Sequence, residues 1–164
     1  MDNGQCVETA SARLQVLRQR FPAVRQRTLQ LCEPLYVEDY GVQPMADASP
    51  PKWHLAHTSW FFDTFFLAPW QPDYAAFHPA YSELFNSYYN GVGNPFPRAR
   101  RGSLSRPTLE EVLAYRRYVD ATIPELVDAA MCSGSAADLV KMTEVLELGI
   151  EHEQQHQELL VTDL

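Results

Sequence analysis

The chain has 164 residues and a mass of 18.7 kDa, with 46% hydrophobic and 21% charged residues, which suits one globular domain with a buried core. A balance of 13 basic against 21 acidic residues gives a net charge of -8, which argues against nucleic acid or an anionic membrane as the main partner and leaves room for a local basic patch that binds an anion. Cys6, Cys32 and Cys132 form no C-x-x-C pair, and neither a signal peptide nor a membrane span is visible, so the chain reads as a cytoplasmic protein with reduced thiols.

Helical periods recur along the chain and alternating strands do not, which predicts an all-α fold. The first helix is expected over 8–32, kinked or split at Pro22 and ended by Glu33 and Pro34. A second begins in "SPPKWHLAHTSWFFDTFFL", with Ser49 as N-cap and prolines in the first turn, and ends near Leu67. From Pro69 to Pro107 runs a Pro, Gly and aromatic-rich segment with one short helix in "YSELFNSYYN", too long for a mere connector. Within it, "GVGNPF" is no nucleotide motif, because Phe96 stands at the third glycine position and no strand precedes it.

Thr108 and Glu111 form a capping box that opens a third helix to about Val127, with Val112, Tyr115, Val119 and Leu126 on one stripe. A fourth starts near Ser135 and runs to the last residue without a stop signal, so the chain is expected to be a piece of a longer protein. Four helices with a long insertion between the second and third predict a four-helix bundle with a crossover connection.

The fourth helix carries "GIEHEQQHQELL", which places His152 and His156 one turn apart, with Val145, Leu148 and Leu159 within about 40° of His152. Two imidazoles on an apolar stripe need partners, and a metal ion satisfies both. The bland alternative is a pair of surface or core-edge histidines in a Gln- and Glu-rich helix. "HEQQH" also fits the zinc-peptidase signature with Glu153 as base, but the eight residues after His156 hold no third ligand of the usual kind. A third ligand must come from upstream, from His54, His57 or His78. His57 shares a face with Trp53, Trp60 and Phe61, which favours it mildly over His54, and His78 in an aromatic loop comes last.

Four blocks, "SPPKWHLAHTSWFFDTFFL", "LFNSYYNGVG", "RARRGSLSRPTLEEVLAYR" and "GIEHEQQHQELLVTDL", resemble the N-terminal DinB-like domain of the ergothioneine-biosynthesis sulfoxide synthases, the EgtB family. The likeness covers nearly the whole chain and implies a DinB-like four-helix bundle. It implies that His57, His152 and His156 ligate a non-haem Fe(II), with His54 left to packing or to support of a ligand. The implied reaction is oxygen-dependent joining of γ-glutamylcysteine or cysteine to hercynine, the trimethylated histidine betaine. Arg98 and Arg101 resemble arginines that hold the thiol substrate's carboxylates, and Gln155 a residue that contacts the hercynine imidazole through water. The family continues into a C-terminal domain like the formylglycine-generating enzymes, which carries the catalytic tyrosine and which these 164 residues do not include. The isolated chain is therefore expected to bind metal without turnover, and no catalytic acid or base is assigned to it.

Two other readings compete. A DinB-like thiol transferase would use the same three histidines with zinc or nickel and no oxygen. A non-catalytic helical interaction module would hold its histidines for structure alone.

Overall fold

The computed structural model describes residues 3–87 and 95–164, and side chains from residue 8 onward. Every regular element among them is a helix. The long ones are α1 (Asn3–Cys32), α2 (Pro51–Phe62), α3 (Leu109–Ser133) and α4 (Ala136–Asp163). None is long and apolar enough to cross a membrane.

Two helices start as their sequences dictate. The Thr108 hydroxyl accepts from the Glu111 N–H, and the Glu111 carboxylate accepts from the Thr108 N–H at 2.6 Å, which completes the box at the head of α3. Ser135 accepts from the Asp138 N–H at the head of α4. At α2 the expectation fails, because Pro50 rather than Ser49 is the N-cap and Pro51 fills the first position. The Ser49 hydroxyl is engaged elsewhere, accepting from Arg101 Nη1 at 2.8 Å.

Pro22 does not split α1, which runs unbroken through it. Its neighbours Phe21 and Arg25 are buried at 1% and 2% exposure, so packing on both sides outweighs the lost N–H. The second helix also continues past Leu67: it widens into a π turn over Asp63–Leu67 and resumes over Ala68–Trp70. That widening comes just ahead of Pro69, whose ring and missing N–H disfavour a regular turn. The Asp63 carboxylate there accepts from the hydroxyls of Tyr115 and Tyr74 at 2.7 and 3.1 Å.

Side-chain pairs set the helix directions. α1 and α4 run parallel, with Thr143 at Ala10, Gln154 at Arg20 and Gln157 at Val24. α2 opposes both, since Phe62 meets Phe21 while Ser59 bonds Arg25, and Phe62 meets Gly149 while His54 meets His156. α3 opposes α1, with Asp128 at Arg18 and Asp120 at Arg25. It follows that α2 and α3 point the same way, with residues 71–87 and 95–107 the described part of the segment between them. This stretch forms one helical turn over Tyr81–Leu84 and a 3-10 helix over Arg98–Ser103. The rest of "YSELFNSYYN", from 88 on, and residues 91–94 of "GVGNPF" lie outside the described residues.

α2 lies at the centre. Every one of its residues except Lys52 is buried, as befits a helix apolar on all sides. On α3 the buried line is Val112, Tyr115, Val119, Ile123 and Val127, with Leu126 half-buried at its edge. On α4 the inward line differs from the expected one. It runs through Leu146, Ile150, Glu153, His156 and Leu160, whereas Leu148 and Leu159 are 56% and 38% exposed. His152 therefore stands at the edge of the core rather than on its midline.

Gly149 sets how closely α2 and α4 approach. A Cβ built there would lie within 3.0 Å of three atoms of the Phe62 ring, itself fully buried and held edge-on by Phe21 and Phe61. Gly149→Ala is expected to destabilise the fold by about 1–3 kcal/mol despite alanine's better helix propensity, because the ring cannot yield. Urea denaturation measures it, and an unchanged midpoint would contradict the tight contact.

Candidate metal centre

Antiparallel α2 and α4 bring His57 opposite His152 and His156. The ring centroids are 5.0 Å apart for His57 and His152, 4.7 Å for His57 and His156, and 4.6 Å for His152 and His156. One nitrogen from each lies within 4.8 Å of the others. Among the described residues this is the one cluster of His, Cys, Asp and Glu that meets this spacing.

Each ring is held by its surroundings. His57 is sandwiched between two indoles, Trp53 at 4.5 Å and Trp60 at 5.4 Å, with interplanar angles of 13° and 16°. Its Nδ1–H donates to the Phe85 carbonyl at 2.6 Å, and a carbonyl can only accept, so Nε2 carries the lone pair. His156 Nδ1 lies 2.8 Å from His54 Nδ1, which again leaves Nε2 for another partner. His152 rests on Phe61 at 4.6 Å, and its Nδ1 is buried without a hydrogen-bond partner.

Protonating these rings is costly. Burial pushes the His57 imidazole well below its ordinary value, and the nearby His152 adds to the effect. Burial likewise lowers His152 to about 4, and lowers His156 further with help from His57 and His152. At neutral pH the site is three uncharged imidazoles with one converging nitrogen each, the His57 lone pair on Nε2, and one orphaned nitrogen on His152. That donor set fits a divalent transition metal, zinc, iron or nickel, and is poor for the oxygen-seeking magnesium and calcium.

The rings line one wall of a cavity of about 360 Å³. Arg98, Arg101 and Gln155, the other residues singled out in the sequence, line the same cavity. Arg101 is 3% exposed; its guanidinium lies over the Trp53 ring, 3.3 Å from the centroid, and donates to Ser49 Oγ at 2.8 Å and Ser87 Oγ at 3.0 Å. Burial lowers its pKa to about 9, with Arg98 adding to the shift, so the group is still a cation at neutral pH. No described carboxylate forms an ion pair with it, and its Nε is buried without a partner. An anion entering the cavity would meet a fixed, buried guanidinium whose nearest opposing charge, Asp163, acts on it without an ion-pair contact. Arg98 stands exposed at the rim and donates to the Asp47 carbonyl at 3.2 Å.

Other residues fall elsewhere. His78 is exposed and stacks on Tyr81, outside the cluster. Glu153 points away from the cavity into a fully buried ion group, accepting from Arg25 Nη1 at 2.9 Å and Arg116 Nη2 at 2.6 Å. Burial alone would raise this carboxyl, but the two guanidiniums outweigh it and hold it at about 2. With both oxygens so engaged, Glu153 is no general base toward the cavity, which removes the peptidase reading on structural grounds. Cys32 and Cys132 are free thiols, and the Cys6 side chain lies outside the described ones.

Three cavity residues escaped the sequence reading: Asp163, which accepts from the Ser49 N–H at 2.8 Å, Ser87 and Asp47. A hint for the first existed, since Asp163 follows His156 by two helical turns and so shares its face. No local pattern marked Ser87.

Residues 20–160 match the family model described as the DinB superfamily. None of the curated proteins compared with the chain matches it.

Proposed function

The chain belongs to the DinB superfamily; from this membership and the cavity's geometry we propose that it is the iron-binding domain of an ergothioneine-biosynthesis sulfoxide synthase. In this reading residues 1–164 form one DinB-like four-helix bundle with a crossover between α2 and α3. His57, His152 and His156 hold Fe(II), and the substrates are hercynine and γ-glutamylcysteine or cysteine. The observation that carries it is convergence: the four sequence blocks that resemble that family each send side chains into one cavity. Trp53 and His57 come from the first, Ser87 from the second, Arg98 and Arg101 from the third, and His152, Gln155 and His156 from the fourth.

Iron(II), when bound, supplies Lewis acidity toward a thiolate and the redox chemistry with O2 that a sulfoxide requires. The polypeptide does the rest of what these residues allow. Arg101, locked by two serine hydroxyls and the Trp53 face, offers its charge to a substrate carboxylate, and Arg98 extends that charge to the rim. Neutral imidazoles leave the metal's full charge to draw in a thiolate. Gln155, exposed at the cavity edge, is placed to contact the second substrate's imidazole through water. No acid or base of the chemical step is assigned within this chain; in this reading it comes from a domain like the formylglycine-generating enzymes, and residues 1–164 alone form no sulfoxide.

The test is an anaerobic titration. Chelator-washed protein is expected to bind one iron(II) per chain, and only the loaded protein to bind γ-glutamylcysteine. Arg101→Leu should weaken that second step by at least about 30-fold, the scale of losing one partner of a buried charge pair. Thiol affinity indifferent to both iron and Arg101 would sink the proposal. The same donor set suits zinc and nickel, which keeps a thiol transferase as the second reading. Thiol alkylation by zinc-loaded protein without oxygen uptake would favour it.

A further inference from the structure

His54 is buried beside the triad, yet it lies outside the trio whose nitrogens converge. Its ring has two polar neighbours and sits between them. Nε2 lies 3.1 Å from Asp163 Oδ2, and Nδ1 lies 2.8 Å from His156 Nδ1. The Asp163 carboxylate is itself steered by the Ser49 N–H at the entrance to α2. The order along the chain of contacts is Ser49 backbone, Asp163, His54, His156.

Such a series ties the proton positions of its members to one another. An ionised carboxylate only accepts, so His54 Nε2 must donate to it. A neutral imidazole has a single N–H, so His54 Nδ1 then carries a lone pair and must accept. With His54 neutral, the 2.8 Å contact puts the proton on His156 Nδ1, which leaves the His156 Nε2 lone pair for a cation. His57 reaches the same state by a different route, through the Phe85 carbonyl. A free histidine would partition between its tautomers, and only one of them presents Nε2.

We propose that Asp163 and His54 are positioning residues that hold His156 in its Nδ1–H tautomer and so prepare it as a metal ligand, with the carboxylate acting through His54 rather than on the metal. The inference rests on the metal reading of the same site. It explains why a second histidine stands in "WHLAH" and why an aspartate two turns after His156 faces the cavity. It also gives the α2 entrance a part in the site, since the Ser49 backbone fixes the acid that orients the ring.

Two measurements test it. Long-range proton–nitrogen correlation NMR on metal-free wild-type protein labelled with 15N-histidine is expected to show His156 protonated at Nδ1; a proton on Nε2 would overturn the proposal. This needs neither metal nor a variant, so it stands apart from the fate of the metal reading, which falls separately if wild type binds no cobalt(II). Cobalt(II) titrations then read the consequence. His54→Leu should lower affinity by about 10–100-fold, the usual scale for losing the group that orients a ligand. His54→Gln, which keeps an acceptor for His156 and a donor for Asp163, should recover most of the loss. Asp163→Ala should weaken binding in the wild-type background and add nothing in His54→Leu, because its effect passes through the missing ring. Unchanged affinity in His54→Leu, or equal losses from Asp163→Ala in both backgrounds, would refute the relay.

Discussion

Replacing His152 and His156 together with alanine is expected to abolish stoichiometric metal binding while leaving the fold intact. A four-ligand structural zinc site is worth roughly 10–16 kcal/mol at neutral pH, so each ligand accounts for about two to three orders of magnitude in affinity. Removing two of three protein ligands leaves His57 alone, which cannot compete with water and buffer. The fold should survive because His152 sits at the core edge with a buried Nδ1 that has no partner to lose, and because His156, though buried, lines the cavity wall and gives up a single hydrogen bond, to His54. His57→Ala is a poorer choice: it would open a void between Trp53 and Trp60, and lost binding could not be separated from lost packing. Metal content of protein purified without chelator, measured by mass spectrometry beside the thermal midpoint, decides the matter. A double variant that keeps one metal per chain would end the assignment of this site.

The largest stability effect is expected from a residue between those two ligands. Glu153→Ala should cost about 3–5 kcal/mol, because it strands two buried guanidiniums. Arg25 would keep Asp120, at 2.5 Å, but Arg116 has no other carboxylate in contact among the described residues. Glu153→Gln should cost nearly as much, since it keeps the shape and loses the charge. The pH dependence has a definite sign. The folded carboxyl is held at about 2 and the unfolded one titrates near 4.5, so the unfolded chain takes up its proton first as pH falls. The Glu153 contribution is complete above about pH 4.5 and disappears on descending to about pH 2. Chemical denaturation of metal-free protein across that window, wild type against Glu153→Gln, should show the gap between them closing. A gap that is constant with pH, or under 1 kcal/mol at neutral pH, would refute the account.

What the sequence could and could not convey divides along physical lines. Local rules were legible: the Thr108 box, the Ser135 cap and the apolar period of α3 depend on residues within a turn or two of each other, and they appear where expected. Rules that tertiary packing can override were not. Pro22 stays inside α1 because Phe21 and Arg25 are anchored, and Ser49 gives up its capping role because a buried arginine takes its hydroxyl.

In the site, periodicity gave only a mild preference for His57 over His54, and the reason is now plain. Both rings lie within reach of His156, on a helix buried on nearly every side, so no face of α2 could single out one of them. The ion group around Glu153 draws on α1, α3 and α4, separated by 37 to 128 residues. Its trace in the sequence is a charged residue on the core line of each: Arg25 after Phe21 and Val24, Arg116 after Tyr115, and Glu153 after Ile150. Three such violations on three helices point to mutual neutralisation, a pattern visible only when helices are compared rather than read one by one.

The indole sandwich around His57 has an optical consequence. The chain contains three tryptophans, and two of them, Trp53 and Trp60, lie face to face with the same imidazole. A paramagnetic ion held by that ring would sit within a few ångströms of two of the protein's three strongest emitters, so the fluorescence of the native chain is a built-in gauge of whether the centre is filled.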